Sequence, residues 1–140
     1  MRKSVIFAGL SLFLGVSGLI SGVAAAKPSS PAAYFDNRGR SDVLAGGVRM
    51  IPITTPKGKF NVWTKRVGNN PTMKVLLLHG GPAGTHEYFA AFDSYFPGAG
   101  IEYYYYDQLG SAYSDQPDDP SLWEVARFVE EVEQVRVALG

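Results

Sequence analysis

The sequence predicts an α/β fold, in which strands and helices alternate along the chain. Two short apolar runs bounded by turn-forming residues, Val75–Leu78 and Ile101–Tyr106, are typical of buried strands. The first run has no polar position, so we expect it to be buried on both faces of the sheet. Each run is followed by a segment with helical spacing of apolar residues, and this alternation predicts parallel strands joined by right-handed crossovers.

The first 26 residues form a segment that we expect to be absent from the mature protein. Arg2 and Lys3 give a positive start, residues 5–23 are largely apolar, and Ala24, Ala25 and Ala26 are small. This order is that of a secretory signal with an A-x-A cleavage site. We therefore expect cleavage near Ala26 and a secreted or periplasmic protein without stable membrane association. An uncleaved membrane anchor is the alternative.

The composition excludes several classes of function. Thirteen basic and thirteen acidic residues balance, so no electrostatic argument supports binding to nucleic acid or to an anionic membrane. The chain has no cysteine, which excludes disulfides, thiolate metal sites and a cysteine nucleophile.

The mature chain divides into a leader and one domain. Residues 27–45 begin rich in Pro, Ser and Ala and are expected to be a flexible leader, whereas residues 46–140 carry the α/β pattern. The domain opens with two strand-like runs, Val48–Ile53 and Phe60–Val67, on either side of a Pro-Lys-Gly turn. This arrangement predicts an antiparallel hairpin.

Two helices are expected after the hairpin. The first covers His86–Phe96, because its aromatic residues recur every three or four positions, and Thr85 would cap it. The second starts at Ser121, which forms a capping-box pattern with Glu124. Its buried face is expected to be the apolar stripe, and its charged residues to be solvated. The stripe consists of Leu122, Val125, Val129, Val132 and Leu139, with Val135 beside it.

Polar residues follow both predicted buried strands. His79, Gly80, Gly81 and Pro82 follow the first, and the dipeptide 107–108 (Asp-Gln) follows the second. The carboxyl ends of parallel strands are where open α/β sheets place their chemistry. Glycine backbone N–H groups there could bind a developing negative charge, and an ordinary strand-to-helix turn is the alternative. His79 is interpreted as a residue that fixes the loop rather than as a base.

Other chemistries find little support in the pattern. Ser111 and Ser114 lack the G-x-S-x-G elbow of a serine hydrolase, and both histidines precede any possible elbow. His86, at a predicted helix start, is interpreted as a surface or capping residue. Asp107 could be a catalytic carboxylate, although an acceptor of loop hydrogen bonds is the preferred interpretation. No metal-ligand spacing and no dinucleotide-binding pattern occurs, so neither metal nor cofactor is expected.

At three places the sequence resembles the proline iminopeptidases, which are serine exopeptidases with an α/β-hydrolase fold. The residues His-Gly-Gly-Pro at 79–82, followed by Ala83, are similar to the family signature His-Gly-Gly-Pro-Gly. Residues 106–114, Tyr-Asp-Gln-Leu-Gly-Ser-Ala-Tyr-Ser, are similar to the second signature, Asp-Gln-Arg/Leu-Gly-x-Gly-x-Ser. Residues 128–136 look like the helix before the nucleophile strand. The resemblance covers residues 46–140.

This resemblance implies the amino-terminal part of an α/β-hydrolase fold and a peptide substrate with a free N-terminus. Gly81 would donate its backbone N–H to the oxyanion. The peptide bond between Gly81 and Pro82 is expected to be cis. The loop-organising residues would be His79, Gly80, Pro82, Asp107 and Gln108. The catalytic serine, aspartate and histidine would lie beyond Gly140, so the 140-residue chain alone is expected to be inactive.

Two departures and two alternatives accompany the resemblance. Ala83 and Ala112 stand where the family usually has glycine, and alanine is strained wherever the backbone needs a positive φ. An esterase, epoxide hydrolase or dehalogenase is the alternative within the same fold. A non-catalytic exported α/β fragment is the alternative outside the enzymes.

Overall fold

The computed structural model describes residues 27–81 and 83–140. The predicted signal segment and Pro82 lie outside the described residues, and so does the Gly81–Pro82 bond expected to be cis. None of the helices in the described ranges is both long and apolar enough to cross a lipid bilayer.

A four-stranded mixed sheet forms the centre of the molecule, in the order β1-β2-β4-β3. Strands β1 and β2 are antiparallel, with the first residue of β1 opposite Lys65. Strand β4 pairs antiparallel with β2 and parallel with β3. The predicted hairpin and the predicted parallel pair are therefore both confirmed. The strands are β1 Val48–Thr55, β2 Gly58–Val67, β3 Lys74–Leu76 and β4 Glu102–Tyr106.

Strand β3 is shorter and less buried than the apolar run predicts. Leu77 still donates its N–H to the Tyr104 carbonyl at 2.9 Å, but the side chain of Leu78 is 48% exposed. The expectation of burial on both faces is wrong for Leu78. Among the described residues, β3 has a neighbouring strand on one side only.

Helices lie on both faces of the sheet. The α-helices of the described part are α1 Pro31–Tyr34, α2 Phe96–Ala99 and α3 Val125–Leu139, and the 3₁₀ helices are Val43–Ala45, His86–Ser94 and Pro120–Leu122. One core cluster packs beneath α3 and contains Ile51, Ile53, Val62, Tyr106, Leu109, Leu122 and Val135. A second cluster, on the opposite face, contains Trp63, Leu77, Tyr103 and Tyr105.

The helix expected over residues 86–96 is wrong in type. The chain forms a 3₁₀ helix over His86–Ser94 and then the short helix α2, and Thr85 makes no side-chain capping bond. A 3₁₀ helix has three residues per turn, so residues three apart lie above one another. Phe89 and Phe92 use this spacing to stack at 5.9 Å, and Phe92 stacks on Phe96 at 4.6 Å. The Phe89–Phe92 contact fits the three-residue spacing, and the Phe92–Phe96 contact joins the 3₁₀ helix to α2.

The capping box expected at Ser121 and Glu124 is also wrong. Asp119 instead accepts hydrogen bonds from the Ser121 N–H and hydroxyl, at 3.0 and 2.7 Å. These bonds stabilise the 3₁₀ turn Pro120–Leu122, and α3 begins separately at Val125 without a side-chain cap. The bond from the Ser121 N–H to the Asp119 side chain, which spans two residues, thus replaces the expected capping box.

The buried face of α3 differs from the predicted apolar stripe. Val125 and Val129 are 80% and 64% exposed, whereas Arg127 and Glu131 are 7% and 1% exposed. The expectation that the charges of this helix are solvated is therefore wrong for these two residues. Arg127 and Glu131 form an ion pair; Arg127 also donates to the Leu122 carbonyl, and Glu131 also accepts the Leu109 N–H.

The segment expected to be a flexible leader has specific contacts with the sheet. The Tyr34 hydroxyl donates to the Ile101 carbonyl at 2.7 Å. Arg40 contacts Glu102 at 3.1 Å, and Asp42 pairs with Arg66 at 2.6 Å. These contacts hold residues 34–42 against the sheet. This part of the chain is therefore not the flexible segment that its composition predicts. The boundaries of the leader and the domain stay predictions.

Candidate active site

The two polar loops lie side by side because the strands before them are parallel neighbours. The glycine loop (residues 79–84) follows β3 and the Asp-Gln loop (residues 107–110) follows β4. The backbone N–H of Gln108 donates to Nε2 of His79 at 3.0 Å. The Gln108 side-chain amide donates to the His79 carbonyl at 3.1 Å. Two hydrogen bonds therefore join the loops.

His79 uses both of its ring nitrogens within the loops. Because Nε2 accepts the Gln108 N–H, the ring proton lies on Nδ1, which donates to the Gly80 carbonyl at 3.0 Å. The side chain is 3% exposed. A histidine held in this way orients the loop and has no free nitrogen for general-base chemistry.

The glycine loop folds back tightly on itself. Gly81 has φ +116°, and a Cβ added there would lie 2.8 Å from the Gly84 nitrogen. A Cβ at Gly84 would lie 2.2 Å from the Gly80 carbonyl oxygen. Both positions therefore require glycine for close backbone approach.

The backbone donors of the two central glycines differ. The N–H of Gly80 donates to the Tyr88 hydroxyl at 2.8 Å. The N–H of Gly81, an exposed residue, has no acceptor among the described residues. The Gly81 donor therefore lies at the carboxyl ends of β3 and β4, in a residue that is open to a ligand.

Asp107 holds the other end of the glycine loop. Its carboxylate is fully buried and accepts from the His86 backbone N–H at 3.0 Å and from His86 Nδ1 at 2.8 Å. The Tyr113 N–H also points at this carboxylate, at 3.4 Å. His79 at the start and His86 just after the end thus tie the glycine loop to the Asp-Gln loop.

Comparisons with known proteins show which proteins this chain is similar to. A family model described as the alpha/beta hydrolase fold matches residues 74–140. The proline iminopeptidases of Elizabethkingia meningoseptica and Chitinophaga pinensis are 67% and 68% identical to this chain over 90 residues, which are 64% of this chain and 30% of those proteins. The crystal structure of proline iminopeptidase from Mycobacterium smegmatis superimposes with a TM-score of 0.57 and 28% identity, covering 66% of this chain and 32% of that chain.

The chain has part of an α/β-hydrolase fold. Its resemblance to the proline iminopeptidases is likewise confirmed by the curated relatives. The chain spans about 30% of the length of the curated relatives it matches.

His86 has more contacts in the structure than its sequence position indicates. The sequence predicts a surface or capping residue, yet its ring packs at a tilt against Trp63, with ring centroids 4.5 Å apart, and it pairs with the buried Asp107. Tyr113 lies 5.7 Å away from the His86 ring on the Asp-Gln side. The sequence does not reveal these contacts of His86, because Trp63 lies on β2 and Asp107 lies in a loop 21 residues later.

The two serines in the Asp-Gln segment are not arranged as hydrolase nucleophiles. The Ser114 hydroxyl donates to the Asp107 carbonyl at 2.6 Å and accepts from the Trp63 N–H at 2.8 Å. The Ser111 hydroxyl is buried and has no partner within the described ranges. No group of three or more potential metal ligands occurs in the part of the chain that the structure describes.

The two alanines that replace family glycines both adopt positive φ. Ala83 has φ +67° in the glycine loop, and Ala112 has φ +37° after the Asp-Gln loop. The backbone therefore needs a conformation there that strains any residue with a Cβ. The sequence predicts that alanine is strained at these two positions if φ is positive, and both φ angles are positive.

A buried network supports the Asp-Gln loop from beneath. Glu131 on α3 accepts from the Leu109 N–H at 2.9 Å, from the Tyr106 hydroxyl and from Arg127. Burial raises the pKa of the Tyr106 phenol far above its ordinary value, and the Glu131 charge raises it further. The phenol therefore stays protonated and serves as a donor to Glu131 at any ordinary pH.

Proposed function

We propose that the full-length protein is an exported serine aminopeptidase that removes N-terminal proline, or a similar residue, from peptides with a free N-terminus. Support comes from the 66–68% identity to curated proline iminopeptidases, over a stretch of 90 or 91 residues. The observation that carries the proposal is the Gly81 N–H, which has no acceptor among the described residues and belongs to an exposed residue in a loop held at both ends.

In the proposed mechanism, Gly81 supplies one donor of the oxyanion hole. A serine beyond Gly140 attacks the first peptide bond, and negative charge develops on the carbonyl oxygen in the tetrahedral intermediate. The Gly81 N–H donates to that oxygen, and the residue after the serine supplies the second donor. The proposed mechanism uses no metal ion and no cofactor.

The loop contacts favour this role because they fix the donor before substrate arrives. An oxyanion donor lowers the barrier most when it needs no reorganisation during the reaction. The bonds of His79 to the Asp-Gln loop and of Asp107 to His86 hold both ends of the glycine loop. The buried position of both side chains keeps water from competing for these bonds.

A panel of substrates tests the proposed activity with the purified full-length protein. We expect the highest kcat/KM for proline arylamide, lower values for alanine and leucine arylamides, and no hydrolysis of N-acetylproline arylamide, which lacks a free N-terminus. Since one fold hosts many reactions, the panel also contains an aryl ester, an epoxide and a haloalkane. Turnover of one of these without arylamide hydrolysis would support the alternative hydrolases, and no turnover of any would favour a binding module.

Export is tested separately. The proposal expects the mature protein to begin at Lys27, immediately after the three alanines. Amino-terminal sequencing of protein recovered from the periplasm or medium would show this. An exported or membrane-bound protein that still begins at Met1 would contradict cleavage.

A further inference from the structure

We infer that Glu131 is a positioning residue for the oxyanion donor Gly81, acting through the Asp-Gln loop. The inference rests on the proposed function. Glu131 lies on α3 and bonds to the Asp-Gln loop rather than to the glycine loop, so it would contact neither the substrate nor the reacting atoms.

The first step of the argument is the convergence of donors on Glu131. Its Oε1 accepts both the Leu109 backbone N–H and the Tyr106 hydroxyl, and its Oε2 accepts Nη1 of Arg127. Glu131 and Arg127 are both nearly fully buried. A carboxylate oxygen has two lone pairs, so Oε1 can hold the loop and the end of β4 at one point.

The second step is the continuity of hydrogen bonds from Leu109 to the glycine loop. The residue before Leu109, Gln108, donates its N–H to His79 Nε2 at 3.0 Å and its side-chain amide to the His79 carbonyl at 3.1 Å. His79 Nδ1 then contacts the Gly80 carbonyl at 3.0 Å. The Gly81 N–H belongs to the same peptide unit as that carbonyl. Glu131 is therefore linked to the proposed donor by contacts that nearly all involve the backbone.

The third step is that stability alone does not account for a buried ion pair at this position. Removing two charges from water costs about as much free energy as their attraction returns, and apolar pairs of similar size are often equally stable. Nη2 of Arg127 is buried without a partner among the described residues, which adds to the cost. The same helix carries a solvated pair, Arg136 with Glu133 at 2.7 Å. The consequence specific to the buried pair is the position of the loop it holds.

Arg127 has a definite part in this arrangement. Its Nε donates to the Leu122 carbonyl, and its guanidinium lies 4.0 Å over the Phe128 ring. These contacts fix the cation, which in turn fixes the orientation of the Glu131 carboxylate four residues later. Arg127 therefore sets which oxygen faces the Leu109 N–H.

Two double variants of the full-length protein separate positioning from stability. Arg127→Met with Glu131→Gln removes both charges but keeps an oxygen acceptor for Leu109. Arg127→Met with Glu131→Leu removes both charges and the acceptor. Neither leaves an unpaired buried charge. Glu133→Gln, at the solvated pair of the same helix, is the matched control and should leave kcat and KM unchanged.

We expect the Leu-containing variant to lose about 10²-fold in kcat for proline arylamide with little change in KM, since misplaced catalytic groups have effects of that order. Its affinity for a proline boronic acid, a mimic of the tetrahedral intermediate, should fall in parallel, while its affinity for free proline should not. The Gln-containing variant should keep most of the kcat. Amide hydrogen exchange at residues 79–81 and 107–110 should become faster in the Leu-containing variant only.

The outcomes distinguish this inference from the proposed function. Unchanged kcat or unchanged exchange at residues 79–81 in a folded Leu-containing variant would overturn the positioning role. A wild-type protein without prolyl aminopeptidase activity would refute the proposed function, and the exchange data would still decide whether Glu131 controls the glycine loop. If the variant with Glu131→Leu does not fold, Glu131→Asp replaces it, because aspartate keeps the charge but withdraws the acceptor by one methylene. Its kcat should fall, by less than in the variant with Glu131→Leu. A kcat equal to that of the wild type would overturn the inference.

Discussion

The Nε2 atom of His79 accepts the backbone N–H of Gln108 at 3.0 Å, and this bond joins the loops that follow two neighbouring parallel strands. It also fixes the tautomer of His79, so that Nδ1 faces the Gly80 carbonyl. One side chain thereby orients both the glycine loop and its neighbour. The arrangement depends on an acceptor at Nε2 rather than on the size of the ring.

The first prediction concerns this acceptor. His79→Phe keeps a planar ring but leaves the half-buried Gln108 N–H without a partner, which should lower the free energy of unfolding of the full-length protein by about 1 kcal/mol. His79→Gln offers an oxygen near the same place and should lower it less. Urea unfolding followed by fluorescence measures both. Equal stability of the Phe variant and the wild type would show that the hydrogen bond is dispensable.

The second prediction concerns the strained alanines. Ala83→Gly and Ala112→Gly should each raise the free energy of unfolding by about 0.5–1 kcal/mol, because glycine adopts positive φ without the Cβ clash but loses more chain entropy on folding. Ala126→Gly, at an exposed site in α3, is the control and should be destabilising. Thermal unfolding of the full-length variants provides the comparison. Destabilisation at all three sites would mean that the alanines are not strained.

The third prediction concerns stability at high pH. Burial, with Glu102 nearby, raises the pKa of Tyr104 to about 12 and that of Tyr34 to about 12. Because these phenols hold their protons more tightly in the folded state, their contribution is complete below their ordinary pKa of about 10. It is lost as the pH rises through 12, so Tm should fall steeply across this interval, with tyrosinate absorbance appearing as the protein unfolds.

Phenylalanine variants check the assignment. Tyr104→Phe should flatten the fall of Tm between pH 10 and 12, although it also removes hydrogen bonds to Glu102 and Arg40 and so lowers Tm at neutral pH. Tyr95→Phe changes a side chain that is 71% exposed and should leave the slope as it is. An unchanged slope in the Tyr104 variant would show that other groups control alkaline unfolding.

The sheet edge gives a fourth prediction. Strand β3 pairs with β4, and no described residue pairs with its opposite side. An unpaired edge next to exposed apolar side chains, such as Leu78, favours association between chains. We expect residues 27–140 expressed alone to aggregate or to be partly unfolded, as measured by analytical ultracentrifugation and circular dichroism. A clean monomer with a sharp two-state transition would contradict this.

The hairpin and the parallel pair could be predicted because period-two patterns, turn residues and apolar runs are local signals. The strain at Ala83 and Ala112 was also foreseeable, since it required only that alanine replace glycine within recognised signatures. Both positions indeed have positive φ. These features depend on residues close together in the sequence.

The buried face of α3 could not be predicted in the same way. Periodicity assigns charged residues to solvent, but Arg127 and Glu131 are buried together because each neutralises the other and because Leu109 and Leu122 provide backbone partners. Likewise, the position of His86 depends on Trp63 and Asp107, which are distant in sequence. The Arg127–Glu131 spacing is local, but the partners in the Asp-Gln loop and on β2 are distant in sequence and leave no periodic signal.

The central claim is that this chain supplies the oxyanion side of a serine aminopeptidase whose nucleophile lies beyond Gly140. Labelling with a serine-directed fluorophosphonate, mapped by mass spectrometry, tests it most directly. We expect the full-length protein to be labelled at one serine beyond Gly140, with loss of proline arylamide hydrolysis, and the 140-residue chain to be neither labelled nor active. Labelling at Ser111 or Ser114 in either protein would contradict the claim.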